Sequence, residues 1–268
     1  MRAGTDVGMC TAALLAEPFT ASDADIRAAA EAAVGAGCTG LSVWSHQLAA
    51  LGDPGALAVP VAVVEGALLW SGPDEEAAAD EARILSAQAA EHRAGLILAV
   101  VLDAVAPEPG RARAGLGRLA ESAAAAGARV CVEFLPWSGL PSLAAAWDLV
   151  GPLSADVGIV VDAWHWQRQP GGPCPDVLAG IPGDRIAYLQ LCDAAAQPGP
   201  EPMDEAMNGR LLPGEGMVDF PALLAALDGI GADPFVATEV FNPSIVRERA
   251  ASGAATAMVT AARRVLAG

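Results

Sequence analysis

Short runs of β-branched and other apolar residues alternate with longer Ala-rich stretches about eight times along the chain, with no long polar linker between them. That alternation marks an α/β architecture built on a parallel sheet. The predicted strands are Val7–Leu14, Gly40–Trp44, Val59–Val64, Gly95–Leu102, Ala128–Phe134, Val157–Val161, Ile186–Leu191 and Phe235–Val240. Several are apolar at every position, as strands covered on both faces must be. Helices are predicted over Ser22–Val34, Asp74–His92, Arg111–Ala126, Ser142–Val150, Phe220–Asp228 and Pro243–Leu266. Ser22 or Asp23 caps the first, and a row of acids behind Pro73 suits the N-terminus of the second. The segments after Trp44 and after the sixth strand show no clear periodicity. Eight units of similar length favour a closed (β/α)8 TIM barrel over a doubly wound sheet. The 268 residues match the roughly 250 such a barrel needs, so residues 1–268 are expected to form one barrel domain.

Gly35-Ala36-Gly37-Cys38-Thr39-Gly40 spells the glycine pattern of a dinucleotide loop in the wrong context. It follows a helix and leads into a strand, whereas pyrophosphate needs the free N–H groups of a helix it precedes. A helix-terminating turn is the better reading.

Composition narrows the chemistry. Fifteen basic against 32 acidic side chains give a net charge of −17, which repels nucleic acid. All the basic side chains are Arg, and the absence of Lys excludes Schiff-base aldolase and pyridoxal-phosphate chemistry. Five scattered cysteines without a C-x-x-C motif fit reduced thiols in a cytoplasm. No apolar run reaches the roughly 20 residues of a membrane span. Near the N-terminus Arg2 precedes an apolar stretch, but Asp6 intervenes and a strand explains that stretch better than a signal peptide.

In a barrel the reacting groups hang from the C-terminal ends of strands. Glu133, Asp162, Gln190 and Glu239 each fall at the end of an otherwise apolar run, on the fifth to eighth strands. Three carboxylates aimed at one space repel one another and take up protons unless a cation neutralises them. Oxygen donors favour Mn2+ or Mg2+, with Co2+ or Zn2+ less favoured. The competing reading is that some of these acids simply cap the helices that follow. Glu65 follows the third strand, and His46 follows the Trp44 strand end, so both are candidates for the same mouth. Trp44, Trp70, Trp137, Trp164 and Trp166 lie at or beyond strand ends, where flat walls suit a carbohydrate and loop packing is the alternative.

Glu133-Phe-Leu-Pro-Trp, Val-Asp162-Ala-Trp-His165, Tyr-Leu-Gln190-Leu-Cys-Asp193, Leu-Pro213-Gly-Glu-Gly216 and Thr-Glu239-Val together resemble the sugar phosphate isomerase/epimerase family of the xylose isomerase-like barrels. The resemblance spans nearly the whole chain and is strongest over about residues 128–242. It implies that Glu133, Asp162, Gln190 and Glu239 bind the metal and that Glu133 and Glu239 also exchange protons with the substrate. Gln190 stands where many members have His; its amide oxygen can still ligate a hard ion, but affinity should fall and the preference for softer metals should weaken. The resemblance further implies substrate contacts from His165, which matches the family's Asp-x-x-His pattern, and from Arg210 on the loop after the seventh strand.

The implied reaction is proton transfer next to a carbonyl of a sugar, sugar phosphate or polyol-derived ketone through a metal-stabilised enediolate, giving an isomerase or epimerase. A dehydratase acting on an inosose- or dehydroshikimate-like substrate shares the first step and stays open. So does a barrel that binds a metabolite without turning it over, because of Gln190. A trinuclear zinc nuclease is disfavoured, since the chain has only His46, His92 and His165. A carbohydrate-like small molecule is the expected partner, without nucleic acid or membrane, and a homodimer is the default expectation.

Overall fold

The computed structural model describes residues 6–52, 57 and 59–268. Arg2 lies outside them. Eight parallel strands close into a barrel in chain order: β1 (Gly8–Cys10), β2 (Leu41–Trp44), β3 (Val61–Ala67), β4 (Leu96–Ala99), β5 (Arg129–Glu133), β6 (Val157–Asp162), β7 (Ile186–Leu191) and β8 (Phe235–Thr238). The seam is made by β1 on β8, with Gly8 opposite Ala237 and Met9 opposite Thr238. Closure leaves no sheet edge to template association with another chain.

The longer helices are α1 (Asp23–Gly35), α3 (Glu75–His92), α4 (Pro109–Ala125), α5 (Leu143–Val150), α9 (Phe220–Gly229) and α10 (Pro243–Leu266), and shorter ones are α2 (Ser45–Ala50), α6 (Ala163–Arg168), α7 (Pro175–Ala179) and α8 (Pro202–Asn208). Their starts follow from side chains that satisfy free backbone N–H groups. Ser22 and Asp25 form a reciprocal capping box on α1, while Asp74, Glu108, Ser142 and Asp219 each accept from the first turn of their helix. The glycine-rich hexapeptide ends α1, and Gly37 at φ 79° makes the turn into β2.

Apolar side chains form two layers. The larger lies between sheet and helices and includes Ile26, Leu85, Leu116, Leu143 and Met258. The smaller fills the barrel itself, with Val63, Leu98, Cys131, Val160, Tyr188 and Ala237. Strand side chains alternate with a period of two, so the residue two positions after each of several of these plugs also points inward. Those residues are Glu65, Glu133, Asp162, Gln190 and Glu239. The barrel is thus apolar below and polar at its C-terminal mouth.

Three expectations need adjustment. The first strand ends at Cys10, and Thr11–Leu14 form a 3-10 turn; the Thr11 hydroxyl is drawn to the Ser42 carbonyl and Gln47. The third strand runs on to Ala67 and so carries Glu65 within it. The fourth stops at Ala99, and Leu102 is exposed.

Candidate metal and substrate site

The polar mouth is held by the strands themselves. Glu133 and Asp162 end β5 and β6, Asp162 pairs with Gln190 across the β6–β7 ladder, and Glu239 continues β8 by donating its N–H to Leu191 O at 3.1 Å. All four are buried: Glu133 6%, Asp162 0%, Gln190 0% and Glu239 3% exposed.

Their contacts divide the space. Glu133 Oε1 lies 3.1 Å from His165 Nε2. Asp162 Oδ1 accepts from the His165 backbone N–H at 2.8 Å, so this acid does cap α6. Its other oxygen accepts from Arg210 Nη1 at 2.7 Å and from Cys192 Sγ at 3.4 Å. One donor atom each from Glu133, Asp162 and His165 lie within 4.8 Å of one another.

Arg210 is buried, not a surface cation. Besides Asp162, its Nη1 reaches Glu239 Oε2 at 3.2 Å and Glu239 O at 3.1 Å, and its Nε donates to Ala206 O at 2.7 Å. Phe241 and Trp164 flank the guanidinium at 5.2 and 5.9 Å. Burial pushes the Asp162 carboxyl up, but Arg210 and then His165 outweigh it and hold it below the usual carboxylate range. Burial and then Glu65 drive Glu239 well above that range despite Arg210.

Glu65 faces the same interior, buried and accepting a short hydrogen bond from Ser42 Oγ. Burial raises its pKa to about 7, against the pull of Ser42. His46 sits apart on the rim, exposed, with Nε2 3.3 Å from Pro18 O and its ring stacked 6.5 Å from Phe19. Trp164 has no exposed surface; its Nε1 donates to Glu205 at 3.2 Å and its ring meets His165 edge-on at 5.3 Å. It backs His165 and Arg210 instead of forming an open wall. Trp137, only half buried, lies over His165 at 5.4 Å.

The loop that delivers Arg210 is tied down by Asp193, whose carboxylate accepts from the N–H groups of Ala194, Gly214, Gly216 and Val218 at 2.8–2.9 Å. A Cβ on Gly216 would lie 2.2 Å from Ala194 O and 2.5 Å from Asp193 Oδ1, so only glycine fits. Cys10, Ser42, Tyr188 and Cys192 also face this interior, as residues that the sequence reading missed. Tyr188 and Cys192 carried a signal, their positions two residues before and after Gln190.

The donors fit a hard or borderline divalent cation. Glu133 and Asp162 present carboxylate oxygens close to His165, Glu239 presents its own beside Cys10 and Glu65, and both amide atoms of Gln190 are buried without a hydrogen-bond partner. An unpaired buried polar group costs about 1–3 kcal/mol, a cost that coordination of the amide oxygen would remove.

Fold and site define the class, and comparison agrees: the chain belongs to the xylose isomerase-like TIM barrel family, whose model matches residues 4–263. Among curated proteins it is 28% identical over 141 residues to 3-dehydroshikimate dehydratase of Pseudomonas putida, covering 50% of this chain and 22% of that protein. It is also 28% identical over 148 residues to inosose isomerase of Bacillus subtilis, covering 54% of this chain and 51% of that one. The matches therefore span about half the isomerase and under a quarter of the dehydratase. The solved structure of IOLI protein with a binding zinc atom superposes with a TM-score of 0.80 over 98% of both chains at 17% identity, a likeness of fold. Among the described residues no helix is long and apolar enough to cross a membrane.

Proposed function

We propose that this chain is a divalent-metal-dependent isomerase or epimerase that moves a proton next to the carbonyl of a sugar- or polyol-derived ketone. One observation carries the reading. Four buried carboxylates, from Glu65, Glu133, Asp162 and Glu239, share one mouth with Arg210, His165 and an amide that has no partner. So much buried negative charge calls for a cation. Glu133, Asp162, Gln190 and Glu239 would hold it, with Mn2+ or Mg2+ favoured and Zn2+ or Co2+ as alternatives. When bound, such an ion polarises a carbonyl oxygen and offsets the negative charge that develops there.

The protein's own groups do the proton work. Glu133 and Glu239 stand on strands three apart in the barrel and so approach a substrate from different sides. One accepts the proton from the carbon next to the carbonyl. The other returns a proton to the opposite face, giving an epimer, or to the neighbouring carbon, giving an isomer. His165 fixes Glu133 through the 3.1 Å contact and keeps Nδ1 without a partner for a substrate hydroxyl. Arg210 holds Glu239 in place and offers remaining N–H groups to a substrate oxygen.

A second reading is favoured by the match to a dehydratase. After the same proton removal, the hydroxyl one carbon further leaves as water, protonated by the second carboxyl group.

Incubating Mn2+-loaded protein with a panel of ketoses and cyclic polyol ketones in deuterated water tests both. Exchange of solvent deuterium into the carbon next to the carbonyl is expected. Recovery of an isomer or epimer supports the first reading, and a product lacking water the second. Glu133→Gln and Glu239→Gln should each lower turnover by about 10²–10⁴-fold. Full turnover in both variants would refute the assignment.

A further inference from the structure

Beside the cluster on β5 and β6, a second set of donors meets across β1, β3 and β8. Cys10 Sγ and one carboxylate oxygen each from Glu65 and Glu239 lie within 4.8 Å of one another, and all three residues are buried. An independent sign of a missing ligand comes from β7. The Tyr188 hydroxyl, completely buried and within electrostatic reach of these same three groups, has no hydrogen-bond partner.

From this geometry we infer a second divalent-cation site, formed by Cys10, Glu65 and Glu239, on the β1–β3 side of the mouth. A thiolate beside two carboxylates suits a borderline ion such as Zn2+ or Co2+ better than Mg2+. Ion entry releases the Cys10 proton together with any proton held on Glu65 or Glu239, and the sulfur lone pair forms the new bond.

Charge argues the same way. Once all four carboxylates of the mouth are ionised, Arg210 and one divalent ion leave it one charge short of neutrality. A second ion, entering as Cys10 becomes a thiolate, closes the balance. The site shares Glu239 with the proposed catalytic ion and stands otherwise on its own residues.

Metal-free protein titrated with Co2+ tests it, with bound cobalt counted after gel filtration and absorbance followed in the near ultraviolet. A second equivalent is expected, accompanied by a thiolate-to-cobalt charge-transfer band. Cys10→Ser should lose the band and the second equivalent while keeping the first, and Glu65→Gln should lose the second equivalent. Cys192→Ser, whose thiol lies against Asp162, should keep both. Retention of the first equivalent and an unchanged circular dichroism spectrum show that each variant is folded. A single equivalent without the band overturns this inference and leaves the proposed function standing. A band that follows Cys192 instead of Cys10 also overturns it. No cobalt bound at all overturns both.

Discussion

Replacing Arg210 with Met removes the guanidinium that the structure places between Asp162 and Glu239, while keeping an apolar stem against Trp164 and Phe241. Removing one partner of a buried ion pair costs about 3–5 kcal/mol. In a chain of this size each kcal/mol moves the midpoint by about 2–4 °C. Thermal unfolding of chelated protein at about pH 8 should therefore show a fall of roughly 6–20 °C. The pH dependence gives a sharper signature than the size. Asp162 in the wild type has a depressed folded pKa, so its contribution is present above its unfolded value of about 3.9 and is lost as pH falls through the folded value. In the variant burial is no longer opposed by Arg210, and the folded pKa rises. That stability is then present at low pH and lost as pH rises through the new value. The gap between the proteins should accordingly widen from about pH 4 to pH 8. Adding Mn2+ should recover more stability in the variant than in the wild type, because the ion supplies the missing positive charge. A gap of equal size at every pH, insensitive to Mn2+, would mean that Arg210 acts by packing alone.

Three further outcomes are expected. Gln190→Leu removes an amide without partners, so the metal-free protein should be as stable as the wild type or more so, while its affinity for Mn2+ falls; calorimetric titration that finds unchanged affinity would remove Gln190 from the ligand set. Glu65 has a folded pKa of about 7 against about 4.3 unfolded, so its contribution is present below the lower value and lost as pH rises through the higher. Glu65→Gln, chelated and denatured with urea at about pH 8, should exceed the wild type by roughly 3 kcal/mol and match it near pH 4. Asp193→Ala strips four backbone N–H groups of their acceptor; a midpoint fall of roughly 10 °C and faster amide exchange at Gly214, Gly216 and Val218 are expected, and unchanged exchange there would contradict the tethering role.

What could be read ahead of the structure follows from where polarity interrupts an apolar run. Glu133, Asp162, Gln190 and Glu239 stood out because each lies at or next to the end of a largely apolar strand, and the barrel then turns them inward. Cys10 and Cys131 gave no such signal, since a thiol reads as one more small apolar residue within a strand. The short helices α2, α6, α7 and α8 were illegible because five to seven residues span too few turns to establish a period. Arg210 came only from resemblance. Nothing in the spacing of the long segment between β7 and β8 dictates that Asp193 gathers four backbone amides, and that gathering brings the guanidinium down into the mouth.

The layering of the barrel interior has an evolutionary consequence. Val63, Cys131, Val160 and Ala237 form a floor whose job is cohesion, and the residues one pleat above, Glu65, Glu133, Asp162 and Glu239, carry the charge. Because neighbouring inward positions along a strand answer to different demands, a polar swap at the upper position, such as an amide for an imidazole at 190, leaves the floor undisturbed. Descendants of one ancestral barrel can in this way exchange ions and reactions while inheriting the same foundation.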